Sequence, residues 1–488
     1  MITQRDTEFE AISEKDIFEE ARERLQIVQE AEAANRSAGK DDLAFSEGDQ
    51  WDHSPVTSAS QETPELTINL MDALVTRVEN NIKQQRPRGK CHPVSDGATI
   101  EIADTINGLG RHVEARSEAW VAYDTSIKHS LRIGWGYWRL LSEYVSADSF
   151  QQDLRIAPIR NPFTVYMDPS AIMPSGSDMD YCLISSKMKR TEFKRKYPKA
   201  DNASWRDGAI GDIDTLDWED RENIRLAEYF RIRDKAAKLY LIQGPGGMEY
   251  TRYADGLPAN LAAALKASKA DVEVSADGHT IVDERESSRR QVEWFQLNGV
   301  KVIDRRVLPG EYIPVFRCEG NVMDIDGKIV RRGMVRHMKD PQRMVNYGEV
   351  AKIKRLGLAP KAPWVAAEGQ LDNHPEWAEA NTSSVSVLTY KPVTVSTAQG
   401  DVILPAPQRQ PPAGIEQGFA EFVQGMRTNL LAVAGMPNEP GADMQGQVVS
   451  GRAIQKRQGL SDQAHFQYYD NLTLGIAHTW RVMLEWFP

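Results

Sequence analysis

The apolar positions change period twice along the chain. Over residues 8–36 they fall at Phe9, Ile12, Ile17, Ala21, Leu25 and Val28, one stripe of a charged, Ala/Glu-rich helix. Residues 37–64 are polar and rich in Gly, Ser and Asp, and read as a loop interrupted by FSEGDQW. Helical spacing returns over 66–85, with Ile68, Met71, Leu74, Val75, Val78 and Ile82 on one side and Pro87 as the stop, and continues over 98–133. From 134 to 335 the texture is different. GYWRLLSEYV, DLRIAPI, FTVYMD, LAEYFRI, RQVEWFQLNG and VKVIDRRVL are short, β-branched and aromatic, with turn residues between them, as strands are. A few helices, one of them at TEFKRKYP (191–198), interrupt them. After 340 the helical period resumes, and no fixed-period repeat runs through the chain. The pattern predicts an α+β fold.

The C-terminal third has its own punctuation. Asp340 suits an N-cap and Pro341 the first helical position, where its missing N–H costs nothing. Met344, Tyr347, Gly348 and Ala351 follow at i, i+3, i+4 and i+7, with Gly348 placed to let another helix come close. Lys352, Lys354 and Arg355 occupy the last turn, where cations suit the helix dipole, and Gly357 and Pro360 end the element. Residues 358–414 hold eight prolines and short extended pieces such as SVSVLTYKPVTV. A second helix, GIEQGFAEFVQGMRTNLLAVAG (414–435), carries Phe419, Phe422, Val423, Met426, Leu430 and Leu431 as its stripe. The Gly/Pro-rich MPNEPGADMQGQVV then leads to a long helix with Arg452, Lys456 and Arg457 near its start.

Length and charge narrow the function classes. A chain of 488 residues makes two to four structural units, and 41% hydrophobic against 26% charged residues is enough to bury a core. No apolar run reaches 18 residues, and the N-terminus MITQRDTEFEAISEKD lacks a signal-peptide core, so an intracellular product without a membrane span is expected. Cys91, Cys182 and Cys318 lie too far apart for a metal knuckle or a disulfide framework and fit a reducing compartment. The net charge of −11 excludes a surface built throughout for DNA binding; any contact with a polyanion is local, or tuned for sliding.

The short motifs do not make a catalytic, cofactor or metal site. GWG (134–136) lacks the third glycine of a nucleotide fingerprint and reads as a tight turn. GPGG (244–247) reads as a hairpin turn. DIDGK (324–328) lacks the further ligands and closing glutamate of a calcium loop and reads as an Asp-Gly hairpin. Cys91-His92 is a lone pair, and Asp178 and Asp180 fit a solvated loop. Without a phosphate-binding loop, a packaging ATPase is not expected.

The order of these stretches resembles portal proteins of short-tailed (podovirus-type) double-stranded-DNA bacteriophages. RGMVRHMKDPQRMVNYGEVAKIKRLGLAPKAPWVAAEGQ and EWAEANTSSVSVLTYKP carry the likeness. FSEGDQW, INLMDALVTRVENNIKQQRP, NPFTVYMDPSA, SGRAIQKRQ and FQYYDNL support it, from about residue 45 to 488. The resemblance implies a virion protein made in the host cytoplasm, with no cofactor, assembled as a ring usually of twelve subunits at one capsid vertex. Double-stranded DNA would pass through it non-specifically. Its partners would be the terminase large subunit, a head–tail adaptor, and the major capsid and scaffolding proteins. It also implies a portal-type fold, which divides this chain into a mixed α/β wing (1–339), a first stem helix (340–357) and a small clip (358–414). A second stem helix (415–435), a channel loop (436–449) and a long helix toward a crown (450–488) would follow. Lys352, Lys354, Arg355, Arg452, Lys456 and Arg457 become candidates for DNA contact, and Trp364, Trp377 and Tyr390 for contact between subunits in the clip. Such proteins commonly continue into a crown or barrel, whereas this sequence stops at LEWFP, as a truncated chain or a short-crowned member would. The alternatives are another oligomeric head–tail connector component, which is usually much shorter, and a DNA-packaging enzyme.

Overall fold

The computed structural model describes residues 13–51, 65–94, 98–200, 223–244, 247, 249–267, 275–276, 278–358, 364–380, 386–397, 400–409, 417–436 and 464–487. Its helices are α1 (Glu14–Ser46), α2 (Leu70–Gln85), α3 (Ile100–Arg116), α4 (Ala119–Ile133), α5 (Arg190–Lys196), α6 (Ala259–Ala267), α7 (Val335–Leu358), α8 (Glu376–Glu379), α9 (Gln417–Val433) and α10 (Phe466–Trp486). The strands before residue 300 are β1 (Trp135–Tyr144), β2 (Gln152–Pro158), β3 (Val165–Met167), β4 (Tyr181–Lys189), β5 (Asn223–Gln243), β6 (Glu249–Tyr253), β7 (Ser275–Ala276) and β8 (His279–Leu297). Those after it are β9 (Val302–Leu308), β10 (Val315–Glu319), β11 (Asn321–Ile325), β12 (Lys328–Arg332), β13 (Trp364–Val365), β14 (Thr394–Thr397), β15 (Gly400–Ile403) and β16 (Gln408–Arg409). The chain forms two compact units, Met1–Lys40 with Glu79–Gly333 and Phe466–Pro488, and Asp41–Val78 with Met334–His465. The expected α+β mixture is what the structure contains.

The first unit holds a three-stranded antiparallel sheet in the order β10-β1-β2. A larger antiparallel sheet follows the path β3-β4-β5-β8-β7, with β6 added to β5 and β9 to β8. On it α1 lays Ile17, Ala21, Leu25 and Val28, the stripe read from the sequence, against Tyr181, Leu183, Tyr229 and Phe295. The helix does not stop where the polar stretch begins. Asn35, Gly39, Asp42 and Ser46 continue the same buried face without hydrophobic side chains. Asn35 Nδ2 donates to the Ile329 carbonyl at 2.8 Å and its Oδ1 accepts from Arg331 N at 3.0 Å. Partners supplied by the fold thus override the local polarity.

The helix α10 covers the small sheet through Trp138, which is fully buried. Its indole Nε1 donates to Thr479 Oγ1 at 2.9 Å, and its ring edge approaches Gly475 so closely that a Cβ there would lie 2.5 Å from Cη2. Buried charges are paired throughout this unit: Arg132 with Glu79 at 3.0 Å, Arg231 with Glu293 at 2.6 Å and with Glu20, and Arg331 with Glu319 at 2.8 Å and with Glu32. Two of the three short motifs are turns, as expected, and residues 245–246 of the third, GPGG, lie outside the described residues. Gly134 ends α4 at φ +103°, and Asp326 and Gly327 close the β11–β12 hairpin at φ +53° and +77°.

His478 on α10 stands apart because neither ring nitrogen has a hydrogen-bond partner. Tyr312 and Phe316 meet its ring edge to face at centroid distances of 5.1 and 5.4 Å. Burial, with help from Arg481, pushes its pKa down to about 4. The unfolded chain takes up this proton near pH 6.5 and the folded chain only near 4. Each pH unit lost inside that window should therefore weaken the fold by about 1.4 kcal/mol. Urea unfolding of wild type and His478→Phe at pH 7 and pH 5 should show a smaller acid loss in the variant.

Candidate functional site

The sequence points to the second unit, where α7 and α9 bracket a proline-rich module. The helix expected at 340–357 spans Val335–Leu358, with Pro341 inside it. Asp340 is therefore not the N-cap; it is exposed and reaches Arg343 at 3.7 Å. An internal proline loses one backbone hydrogen bond and crowds the preceding turn, yet this helix begins before it. The cause is Asp42, whose side chain has no exposed surface. Arg336 Nε donates to its two oxygens at 2.7 and 3.0 Å, and Lys339 Nζ lies 2.6 Å from Oδ1. These ion pairs hold the turn ahead of the proline.

The buried side of α7 is also not the predicted one. Met344 and Tyr347 are 49% and 45% exposed, whereas Val335, Met338, Gln342, Val345 and Asn346 are buried. Gln342 Oε1 accepts from Met71 N at 3.0 Å, while its Nε2 donates to the Ile68 carbonyl at 2.7 Å and to Asn346 Oδ1 at 3.0 Å. Asn346 in turn donates to Gln50 Oε1 at 2.7 Å. The two amides satisfy the approach to α2, where backbone groups would otherwise be left bare. Tyr347 meets Trp51 edge to face at 5.0 Å.

Against α7 packs α9. Gly348 is the close approach that the sequence indicates, since a Cβ there would sit 3.0 Å from Val423. Arg427 Nη2 donates to Glu349 Oε1 at 2.6 Å. Of the predicted stripe on α9, Val423 and Leu430 are buried and Phe422 is 52% exposed. The helix pair therefore buries one side and leaves Met344, Tyr347, Ile353 and Phe422 on the surface.

The predicted DNA-contact residues divide unevenly. Lys352 is exposed and 3.9 Å from Glu349, and Lys354 is exposed one turn from the end of α7. The backbone of Arg355 belongs to the same helix, but its side chain lies outside the described residues, as do Arg452, Lys456, Arg457 and residues 437–449 of the expected channel loop. Lys352 and Lys354 are therefore the two cations whose surroundings are defined.

The module between the helices is small and strand-built. Two antiparallel pairs, β13–β16 and β14–β15, stand around Gln370, which is 1% exposed. Its Oε1 accepts from Ala367 N at 2.9 Å, its Nε2 donates to the Pro405 carbonyl at 2.9 Å, and its own carbonyl accepts from Lys391 N at 2.9 Å. Trp364 and Trp377 meet edge to face at 5.0 Å, Arg409 covers Trp364, and Trp377 Nε1 donates to the Thr389 carbonyl at 2.6 Å. These two tryptophans thus make contacts inside the module. Tyr390 is 40% exposed, and Val387, Val395, Val402 and Ile403 of the same module are more open still. Sequence reasoning missed Asp42, Gln342, Asn346 and Gln370, because a buried polar residue leaves no mark in a hydrophobic pattern.

No group of three or more His, Cys, Asp or Glu among the described residues is arranged to hold a metal ion, and no helix among them is long and apolar enough to cross a membrane. A family model described as phage P22-like portal protein matches residues 22–488. A portal protein of Acyrthosiphon pisum secondary endosymbiont phage 1 is 23% identical over 466 residues, a match that takes in 90% of this chain and 61% of that protein. The chain spans about three fifths of the length of this curated relative.

Two substitutions separate the observed start of α7 from the predicted one. Asp42→Ala strands Arg336, leaves Lys339 only the exposed Asp41 as a partner, and should lower unfolding stability by about 3 kcal/mol. Asp340→Ala should change it by less than about 0.5 kcal/mol, as an exposed position does. Denaturant melts of both variants give the comparison.

Proposed function

The chain belongs to the phage P22-like portal protein family, and from that premise we propose that it is the subunit of a ring at one capsid vertex, a conduit for DNA packaging and ejection. The observation that carries this reading is the helix pair of the second unit, α7 and α9, which brackets a strand-built module and exposes Met344, Tyr347, Ile353 and Phe422. A helix pair that is half-buried in one chain gains from a neighbour on its other side. In this reading α7 and α9 are the stem, residues 358–414 the clip, 436–449 the channel loop, and the helix after 450 the way to a crown. The wing takes the rest, up to about residue 334. The open edges of the β14–β15 pair and the exposed Tyr390, Val395, Val402 and Ile403 are where clip neighbours meet, since a lone two-stranded pair is marginal in water. Terminase and a head–tail adaptor dock on the clip ring. ATP hydrolysis belongs to the motor, and this chain is a passive wall.

A wall that passes DNA in both directions must not hold it. Each phosphate contact adds affinity and friction, so a net charge of −11 with a few cations near the path suits weak, distributed contact. Lys352, Lys354 and Arg355 at the end of α7 and Arg452, Lys456 and Arg457 beyond α9 supply those contacts.

Light scattering and electron-microscope averages of the purified protein test the ring: particles near twelve subunits with a central hole are expected, and a compact dimer with ATPase activity would end the reading. Neutralising Lys352, Lys354 and Arg355 together should lower DNA packaging while rings still form. Packaging at the wild-type rate would remove these residues from the channel.

A further inference from the structure

Beyond Arg231 and Glu293, the paired strands β5 and β8 run on as a ribbon to a small separate cluster of Tyr240, Ile242, Leu261 and Ile281. Residues directly opposite on an antiparallel pair share a face, so the register sorts the ribbon's charges. One face mixes the two signs: Asp234 stands opposite Arg290, Lys238 opposite Glu286, and Lys238 Nζ lies 2.9 Å from Glu284. The other face is mostly basic, with Asp283 opposite Leu241 as the carboxylate at its far end. It pairs Arg233 with Gln291, Lys235 with Arg289, Ala237 with Ser287 and Leu239 with Arg285, so these four rungs hold four cations and no carboxylate.

Like charges directly opposite on a ladder are unfavourable, and Lys235 with Arg289 is such a pair. Arg289 leans over the Tyr253 ring at 5.5 Å, and Tyr253 stands opposite Leu239, which agrees with that face. Lys235, Arg285 and Arg289 are exposed. Beside them opens a cavity of about 760 Å³, with Glu485 as the carboxylate among its lining residues.

The same unit presents the complementary surface. Asp16, Glu19, Glu23 and Glu30 are exposed along α1 at i, i+3, i+7 and i+14, away from the side that Ile17, Ala21, Leu25 and Val28 bury on the sheet. Lys15 and Arg22 are exposed among them, and Lys15 reaches Glu19 at 3.7 Å, a pair of little strength in water. Carboxylates four residues apart on a helix are spaced about 6 Å along its axis, and cations at alternate strand positions about 6.7 Å. The two rows can match.

We propose that the basic face of the β5–β8 ribbon of one copy docks on the acidic face of α1 of the next. The inference rests on the ring reading and says which surfaces close it: a ring needs two different, complementary patches on every subunit, and each chain carries both. A long polyanion fits less well, because Asp234, Glu284 and Glu286 lie on the reverse of the same thin ribbon.

The experiment is a charge swap read as ring mass by light scattering at low and high salt. K235E/R289E and E19K/E23K should each lower the ring fraction at least tenfold at low salt while far-UV circular dichroism stays unchanged. The quadruple variant, in which every interface again joins opposite charges, should restore it. Rings of K235E/R289E at the wild-type fraction, or a quadruple variant no better than its parents, would overturn the inference and leave the ring reading standing. Intact rings whose retention of double-stranded DNA falls with K235E/R289E would overturn it in favour of nucleic acid. A wild-type chain that stays monomeric would overturn both.

Discussion

A single carboxylate determines how the helical part of the second unit is laid out. Asp42 is fully desolvated, and a bare carboxylate there would cost several kcal/mol; Arg336 and Lys339 offset that only if the chain near 336–339 is already helical. The ion pairs therefore start α7 before Pro341, at a place where local preference would start it after. With the helix in that phase, Gln342 and Asn346 face the start of α2, Gly348 and Glu349 face Val423 and Arg427 of α9, and Met344 and Tyr347 are turned outward. A start at residue 340 would carry no such link to Asp42.

That dependence explains what the sequence reveals and what it conceals. Where apolar residues mark the buried face, the reading is good: Ile17, Ala21, Leu25 and Val28 on α1 and Met71, Val75, Val78 and Ile82 on α2 are where the pattern puts them, and strands fill much of 134–335, although β5 and β8 run to 21 and 19 residues where the pattern predicts short strands. Where polar residues are buried against specific partners, it fails. Asn35, Asp42 and Ser46 read as a loop or its approach, and Gln342 and Asn346 as the wet side of a helix, yet all five are buried. Ser46 is satisfied locally by the Leu43 carbonyl at 2.8 Å; the burial of the other four is stable only because a distant part of the chain supplies the donor or acceptor, and periodicity carries no information about distant parts. The family likeness is legible because it rests on the order of whole segments. The phase of α7 is not, because it rests on one aspartate about 300 residues away.

The exposed surface follows the same logic one level up. In the second unit, α7 and α9 bury Val345, Val350, Val423 and Leu430 and still leave five large apolar side chains among the described residues in water, Val433 included. In the first unit, one face of the β5–β8 ribbon mixes both signs and the other keeps four cations. Apolar surface is worth burying against any apolar partner, so Met344, Tyr347, Ile353 and Phe422 favour association without fixing its geometry. Charge rows act over a longer range and penalise wrong registers, so they select among the ways two copies can meet.

A closed ring needs both kinds of surface, because each interface must be strong enough to persist and oriented closely enough for the last subunit to meet the first. An acidic chain also repels its own copies at a distance, which opposes misdirected aggregates during assembly. Local basic faces then act as exceptions that open one approach. On this view the cations of the ribbon and those at the end of α7 have different tasks although their chemistry is the same. The first are held in register on a paired strand ladder, which suits a permanent neighbour. The second are exposed on a helix terminus, where a passing phosphate can be met and released.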